Sequence, residues 1–226
     1  MRSTPKVRIG NDYDGGYVLP ATVLTCDAVL SVGVGPDVSF DLALAQRGAR
    51  IFQFDHTVIG VPEHQKHDNF IFEQKGWGSS SEGDFLTLED MLNRLNAVKP
   101  QRSLFKFDIE GAEYEVLDAS RPEHLEGFSV IACEIHDMDK LTEPLFFASV
   151  RRAIEKLNAN HVPVHLHANN YQSMILVGGV PIPKVLELSF LRKDLDHFPN
   201  ISSDPIPGPL DRPNRPGVPD ICMNPF

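Results

Sequence analysis

Short apolar runs alternate along most of the chain with stretches in which apolar residues recur every three to four positions. Runs of four to six apolar residues predict buried strands, and the intervening periodicity predicts helices that cover a parallel sheet. The strands are predicted at 28–32, 51–54, 69–72, 103–107 and 128–133. The pattern therefore indicates βα units in sequence, as in a doubly wound α/β sheet.

The stretches between these strands have helical spacing. Leu88, Met91, Leu92 and Leu95 fall at i, i+3, i+4 and i+7, which forms one apolar stripe, and Thr87 stands where an N-cap is expected. Further helices are predicted over 38–48, 112–117 and near 146–157.

The C-terminal third is rich in β-like runs, at 162–167, 174–177 and 184–191. They predict that an antiparallel hairpin closes the sheet. Prolines dominate from residue 199 onward, and proline removes a backbone donor and fixes φ. We therefore predict one domain over 1–198, with 1–25 as an N-terminal lead-in segment, and an extended tail over 199–226.

Composition narrows the function classes. The 226 residues include 21 Lys and Arg against 31 Asp and Glu, a net charge of −10, which disfavours a nucleic-acid partner because binding to DNA needs a basic face. No apolar run reaches the length of a membrane span, and the first residues lack an apolar signal core. Three cysteines without a CxxC pair argue against a disulfide framework. These features predict a cytoplasmic protein.

The first predicted strand runs into Gly33-x-Gly35 and then a helix. In an open α/β sheet, ligands bind beyond the carboxyl ends of the strands, where glycine permits close approach and helix N–H groups are free. Val38 occupies the position of the third glycine in a dinucleotide fingerprint. The alternative is that the two glycines serve only a tight turn.

Asp55 follows Gly35 by 20 residues, at the end of the second predicted strand. A carboxylate at that place can accept hydrogen bonds from both hydroxyls of a ribose. Together with the glycine turn it favours a ligand with one ribose, S-adenosylmethionine, over a nicotinamide dinucleotide. The alternative is a solvated carboxylate at a strand end.

Three carboxylates, Asp108, Glu110 and Glu113, follow the fourth predicted strand. Like charges at this density raise one another's pKa unless a cation or donors compensate, so a binding or catalytic role is the favoured interpretation. Alternatively, Glu110 and Glu113 stabilise the positive end of the next helix.

The segment Lys106-Phe-Asp-Ile-Glu-Gly-Ala-Glu113 resembles the FkbM-type family of S-adenosylmethionine-dependent methyltransferases, whose signature is Lys-x-Asp-x-Glu-Gly-x-Glu. The resemblance covers about residues 7–194. Other stretches similar to the family are Arg8-Ile-Gly-Asn, Asp14-Gly-Gly-Tyr17, Ser31 to Asp41, Phe54-Asp55, Gly76-Trp-Gly78, Glu134-Ile-His136, Ala168-Asn-Asn170 and Leu186 to Arg192.

This resemblance implies a Rossmann-like class I methyltransferase fold with a mostly parallel seven-stranded sheet and an antiparallel C-terminal hairpin. It also implies S-adenosylmethionine as cofactor and methyl transfer to a hydroxyl oxygen of a small molecule or glycan. Ser31 stands where class I methyltransferases usually carry Asp or Glu, so Asp37 or Asp41 would bind the ammonium group of the cofactor. Trp77 either covers the adenine or anchors a loop. The residues expected to bind the cofactor are Gly33, Gly35, Asp37, Asp41, Asp55, Trp77 and Asp108.

Glu134 and His136 end the fifth predicted strand, and His165 and His167 alternate along the sixth. We expect Asp108, Glu134, His136 and His167 to converge near the acceptor hydroxyl. His136 or His167 would then act as a general base, since an imidazole pKa near 6.5 suits that task. Alternatively, the carboxylates and a histidine hold a divalent metal, which is possible but not favoured. The catalytic residues are predicted to be His136, Glu134 and Asp108, with no metal ligand assigned.

Two other functions stay open. One is a metal-dependent hydrolase built on the same carboxylates and histidines. The other is a non-catalytic module that binds S-adenosylmethionine without turnover, which the serine at position 31 keeps in consideration.

Overall fold

A seven-stranded sheet organises the structure, a computed structural model that describes residues 1–198 and 200–223. The strands are β1 (Lys6–Ile9), β2 (Tyr17–Pro20), β3 (Ala28–Val32), β4 (Arg50–Phe54), β5 (Phe70–Glu73), β6 (Gly76–Trp77), β7 (Phe85–Leu86), β8 (Ser103–Phe107), β9 (Val130–Ile135), β10 (His161–Ala168), β11 (Met174–Val177), β12 (Val180–Pro183) and β13 (Leu186–Arg192). The α-helices are α1 (Ser39–Ala45), α2 (Leu88–Asn96), α3 (Glu113–Ala119), α4 (Glu123–Glu126) and α5 (Pro144–Asn160).

The strand order in the large sheet is β10-β13-β9-β8-β3-β4-β5. β13 is antiparallel to both of its neighbours, and the remaining pairs are parallel. This is the Rossmann-like class I methyltransferase fold that the resemblance implied. The chain reverses its direction of winding between β3 and β8, and ligands of open α/β sheets bind at the carboxyl ends of strands at such a point.

Both faces of the central strands are buried. Along β3, Val29 packs in the cluster that includes α1, whereas Leu30 and Val32 pack in the cluster that includes α2. The same alternation holds in β8, where Leu104 and Phe105 belong to opposite clusters. Side chains of a strand point alternately to its two faces, so a continuous apolar run is what two helical layers require.

The predicted features of α2 are confirmed. Thr87 Oγ1 accepts a hydrogen bond from the Asp90 N–H at 3.3 Å, which caps the first turn. Leu88, Met91 and Leu95 are buried on the side that faces the sheet.

The predicted antiparallel closure of the sheet at its C-terminal strands is confirmed. β10 and β13 form the antiparallel pair at the edge of the large sheet, as expected. Residues 174–177 pair instead with β12 in a separate two-stranded sheet. Gly178 and Gly179, both at positive φ, make the tight turn that joins them, and this turn type fits the twist of a two-residue hairpin.

The C-terminal segment, residues 200–223, has no helix or extended strand, although Ile201 forms an isolated bridge with Arg2. It packs on β10 and β13 through polar contacts: Asp211 lies 2.8 Å from His165 Nε2, and Asp220 lies 3.0 Å from His167 Nε2. Pro199 and residues 224–226 of the predicted tail lie outside the described residues. The division at residue 198 stays a prediction.

Across residues 1–198 and 200–223, none of the helices combines the length and the apolar character needed to cross a bilayer.

The contact between β10 and the C-terminal segment generates a pH-dependent prediction. Burial alone would lower the pKa of His167, but hydrogen bonds to Asp220 and Glu187 raise it to about 10. Because the folded value exceeds the unfolded value of about 6.5, the stabilisation is complete below that pH and is lost as the pH rises through about 10.

We expect Asp220→Asn to lower the free energy of unfolding by about 1–3 kcal/mol near pH 6, because a charged hydrogen bond is removed. The difference in free energy of unfolding between Asp220→Asn and the wild type should shrink toward about pH 10, where His167 in the wild type has lost its proton. Urea denaturation at several pH values measures the loss of stability near pH 6 and its decrease at higher pH. Asp204→Asn, on the exposed part of the same segment, is the control. A deficit that is independent of pH would contradict the assignment.

Candidate active site

A cavity of about 510 Å³ opens at the carboxyl ends of β3, β4 and β8. Its volume is in the range of small-molecule sites. The residues expected to bind the cofactor all line it: Gly33, Gly35, Asp37, Asp41, Asp55, Trp77 and Asp108. The fold thus brings together residues that are distant in sequence, although their roles toward a cofactor stay predictions.

The two glycines of the first turn are required for different reasons. Both have positive φ, +72° at Gly33 and +63° at Gly35. A Cβ atom on Gly33 would lie 1.6 Å from the carbonyl oxygen of Asp108, whereas a Cβ atom on Gly35 would meet no atom within 4 Å. Gly33 therefore permits β3 and β8 to approach each other, and Gly35 turns the chain next to open space.

Asp55 holds this turn from the end of β4. Its Oδ2 accepts the Gly35 N–H at 2.9 Å, and its Oδ1 accepts the N–H and hydroxyl of Thr57 at 2.7 and 2.6 Å. Burial acts to raise the pKa of Asp55, but these hydrogen bonds lower it below its usual value. Asp55 is consequently an ionised carboxylate at the cavity wall, and it also anchors the glycine turn.

The two candidate carboxylates near the start of α1, Asp37 before the helix and Asp41 within it, differ in their partners. Asp37 Oδ1 accepts the Ser39 N–H at 2.8 Å, and its Oδ2 is bonded to Asn11 Nδ2. Asp41, only 2% exposed, accepts a hydrogen bond from Gln53 Nε2 at 2.7 Å through Oδ2, while its Oδ1 makes no hydrogen bond with any described residue. Burial raises the pKa of Asp41. Asp41 thus retains a buried oxygen in a residue that lines the cavity.

Trp77 is buried at the cavity wall and belongs to an aromatic cluster. Its ring lies 5.3 Å from Phe105 and 5.4 Å from Phe107 between ring centroids. Its Nε1 has no hydrogen-bond partner. The ring therefore packs in the aromatic core and borders the cavity, and its two predicted roles, covering the adenine or anchoring a loop, stay predictions.

The end of β8 carries a buried cation next to a carboxylate. Lys106 Nζ donates to the Gly33 carbonyl at 3.0 Å and lies 3.9 Å from Asp108 Oδ2. The Tyr17 ring lies 5.6 Å from the same Nζ, and the Tyr17 hydroxyl lies 3.5 Å from Asp108 Oδ2. Lys106 and Tyr17 had no predicted role. Both occur in the motifs that carry the family resemblance, which was the available indication.

Four carboxylates surround His136, and we call these five residues the His136 cluster. Glu113 Oε1 lies 2.9 Å from Nδ1. Nε2 lies 3.4 Å from Glu134 Oε1, 3.5 Å from Glu110 Oε2 and 3.8 Å from Asp108 Oδ1. The cluster joins the cavity through Asp108, which belongs to both.

The pKa of His136 differs from the value expected from the sequence. Burial acts to lower the pKa of His136, but hydrogen bonds to Glu113 and Glu134 raise it to about 11. The expectation of an imidazole pKa near 6.5 is wrong here, because the nearby carboxylates stabilise the charged ring. An imidazolium has no lone pair with which to accept a proton, so the arrangement does not support His136 as a general base at neutral pH.

Glu134 is almost fully buried, at 5% exposure. Burial raises its pKa, and its Oε1 accepts a hydrogen bond from Asn169 Nδ2 at 3.0 Å. Asn169 follows β10, which shows that a residue from the edge of the sheet positions a carboxylate at its centre.

The expected convergence of His167 with the cluster is wrong. β13 lies between β10 and β9, so His167 is two strands away from Glu134. Its nitrogens lie 3.0 Å from Glu187 Oε2 and from the Asp220 carboxylate, and the ring is 1% exposed. Glu110 and Glu113 approach His136 instead, because the turn after β8 folds back over β9.

The chain matches no protein-family model and no curated protein sequence. Solved structures with some similarity include a "putative hemolysin" from Lactococcus lactis, at 10% identity and TM-score 0.44, over 73% of this chain and 77% of that chain. Precorrin-6y C5,15-methyltransferase from Geobacter metallireducens has 16% identity and TM-score 0.40, over 75% and 82%. The SAM-dependent methyltransferase from Agrobacterium tumefaciens has 13% identity and TM-score 0.39, over 76% and 58%. Similarity at this level carries no argument about activity, and the FkbM-type resemblance rests on its motifs alone.

The contact between Gly33 and Asp108 generates a prediction. We expect Gly33→Ala to lower the free energy of unfolding by more than about 2 kcal/mol, because the added methyl group meets backbone at a positive φ. Gly127→Ala is the matched control, since a Cβ atom there meets nothing within 4 Å and φ is −67°. Denaturation curves compare the two variants, and equal midpoints would refute the packing argument.

Proposed function

We propose that the protein is an S-adenosylmethionine-dependent methyltransferase that methylates a hydroxyl oxygen on a small molecule or glycan. One observation carries the proposal. Asp108 lies both in the wall of the cavity that holds the glycine turn and Asp55, and in the His136 cluster. A cofactor cavity and a polar acceptor region therefore share one residue.

The residues present suit the cofactor. The cavity volume of about 510 Å³ accommodates a nucleoside with an amino-acid arm. The space next to Gly35 is open, so a ligand can approach the backbone there. The unpaired Oδ1 of Asp41 is an acceptor suited to an ammonium group.

These features assign roles to the chain's own side chains. Asp55 would accept hydrogen bonds from the ribose hydroxyls. Asp41 would bind the ammonium group in preference to Asp37, because the oxygens of Asp37 are already bonded to Ser39 and Asn11. Trp77 would border the adenine. Lys106 would hold the Gly33 carbonyl and with it the turn beneath the cofactor.

Bound S-adenosylmethionine supplies a methyl carbon activated by its sulfonium, so catalysis consists mostly of aligning the acceptor oxygen with that carbon. Asp108 and Glu134 would orient the acceptor through its hydroxyl hydrogen. The charged ring of His136 would hold these two carboxylates close together. The hydroxyl proton would leave through the carboxylates to water.

Charge favours a neutral acceptor. The His136 cluster has four carboxylates around one imidazole, and the whole chain has a net charge of −10. A phosphorylated or nucleic-acid acceptor would be repelled, whereas a neutral polyhydroxyl compound would not. The hydrolase alternative loses support because His167 lies outside the cluster.

Calorimetry with S-adenosylmethionine and S-adenosylhomocysteine tests the cofactor assignment. We expect both to bind and Asp55→Asn to weaken binding by about tenfold or more, because charge-assisted hydrogen bonds are lost. Asp68→Asn, an exposed carboxylate outside the cavity, should bind as the wild type does. Absence of binding to the wild type at millimolar concentration would reject the proposal.

Transfer of a labelled methyl group into a fractionated cell extract tests the reaction. We expect Asp108→Asn to lower the transfer rate at least about 100-fold, because the acceptor loses an orienting carboxylate. Cofactor binding without transfer to any acceptor by the wild type would instead support a non-catalytic binding module.

A further inference from the structure

In the His136 cluster, carboxylate oxygens face both nitrogens of one imidazole ring. An enzyme that only aligns the acceptor with the methyl group does not need this arrangement. The ring nitrogen Nδ1 faces the buried Glu113, and the other nitrogen, Nε2, faces carboxylate oxygens from the ends of two adjacent strands. One ring nitrogen is thereby fixed, and the second points into a group of oxygens.

We propose that Asp108 Oδ1, Glu134 Oε1 and His136 Nε2 bind a divalent cation at the acceptor side of the cavity. This inference rests on the proposed function, because the cation would bind the acceptor oxygen for the same transfer.

The spacing of these atoms suits a shared ion. Nε2 lies 3.4 Å from Glu134 Oε1 and 3.8 Å from Asp108 Oδ1, and all three atoms lie within 4.8 Å of one another. Ligand atoms bound at about 2.1 Å to one cation are roughly 3.0–4.3 Å apart. Small side-chain adjustments, together with release of the Nε2 proton to water, would therefore place all three atoms on one ion.

The surroundings of the ligands also fit. A histidine that binds metal usually gives its other N–H to a carboxylate, which fixes the ring. Glu113, at 0% exposure, lies 2.9 Å from Nδ1 and occupies that position. Asn169 Nδ2 donates to Glu134 at 3.0 Å and orients the second ligand.

An independent observation concerns two buried carboxylate oxygens of the cluster that lack hydrogen bonds to the described residues. Within the part of the chain that the structure describes, Asp108 Oδ1 is inaccessible to solvent and has no hydrogen-bond partner, although it lies 3.8 Å from Nε2. Glu113 Oε2 is likewise buried without a hydrogen bond. Lys106 Nζ, a second cation beside the cluster, lies 3.9 Å from Asp108 Oδ2. Buried carboxylate oxygens without hydrogen bonds are costly, and a divalent ion would compensate them.

The ligand set indicates the class of ion. Two carboxylates and one imidazole favour a first-row divalent cation that accepts oxygen and nitrogen ligands, and Mn²⁺ is the appropriate probe. Three protein ligands leave coordination positions for water and for the acceptor oxygen. Bound there, the acceptor hydroxyl would have a lower pKa and lose its proton to water. The oxygen would then form its bond to the methyl carbon as the carbon–sulfur bond breaks and its electron pair stays on sulfur.

Calorimetric titration of MnCl₂ into EDTA-treated and desalted protein tests the proposal without any activity measurement. We expect one Mn²⁺ to bind per chain, and the isosteric Glu134→Gln and Asp108→Asn to weaken binding at least about tenfold. Glu113→Gln should weaken it by about 10- to 100-fold through loss of ring orientation. Glu89→Gln is the matched control, because Glu89 is exposed and pairs with the exposed Arg121 at 3.0 Å, outside the cluster.

S-adenosylhomocysteine binding and circular dichroism are measured on the same samples. If S-adenosylhomocysteine binds but wild-type protein binds no Mn²⁺ at millimolar concentration, the cation site is overturned and the proposed function stands. If Mn²⁺ binds and S-adenosylhomocysteine does not, the proposed function fails by itself. If folded Glu134→Gln binds Mn²⁺ as tightly as the wild type does, the cation site is also overturned. If Glu113→Gln does not fold, the Mn²⁺ affinity of Glu134→Gln is the deciding measurement.

Discussion

The close approach of β3 and β8 is the constraint on which the site depends. Gly33 lies so near the Asp108 carbonyl that no side chain fits between them, and backbone hydrogen bonds continue across this point from Asp108 N–H to Val32. Lys106 of β8 also stabilises this contact, because its Nζ donates a hydrogen bond to the Gly33 carbonyl. Because the two strand ends are held together, the glycine turn on one and the carboxylates on the other open into a common cavity. Any separation of these strands would divide the cofactor region from the acceptor region.

Concentrated negative charge is the second organising property. Glu113 is completely buried at the start of α3, which would be unfavourable for an isolated carboxylate, yet it pairs with His136 and accepts the Gly111 N–H at 3.1 Å. The imidazole thereby connects the turn after β8 to the end of β9. Without a bound metal ion, the imidazole that first suggests a base is the cation that allows several carboxylates to lie together. A site of this kind selects for ligands that bring positive charge or hydrogen-bond donors.

Carboxylate–histidine pairs also occur at the edge of the sheet, away from the cavity. Glu187 of β13 pairs with His167 of β10 and, through the register of the sheet, lies next to Glu134 of β9. Asp220 of the C-terminal segment completes the hydrogen bonding of His167. A proline-rich segment without regular structure is thus held to the domain by side-chain pairs, in addition to backbone hydrogen bonds with the N-terminal residues.

Local patterns determined much of this protein from the sequence alone. Apolar runs, helical spacing and the Thr87 cap placed the central strands and α2, since these depend on neighbouring residues. Gly33, Asp55 and Asp108 could be assigned to one cavity because strand ends in a parallel sheet share an edge. Which histidine belongs to the site was decided only by the tertiary structure. The insertion of β13 between β9 and β10 separates His167 from Glu134, and the turn at Glu110 brings Glu113 to His136. Strand order and the pKa of a buried group both depend on contacts between residues distant in sequence, and no local pattern records those contacts.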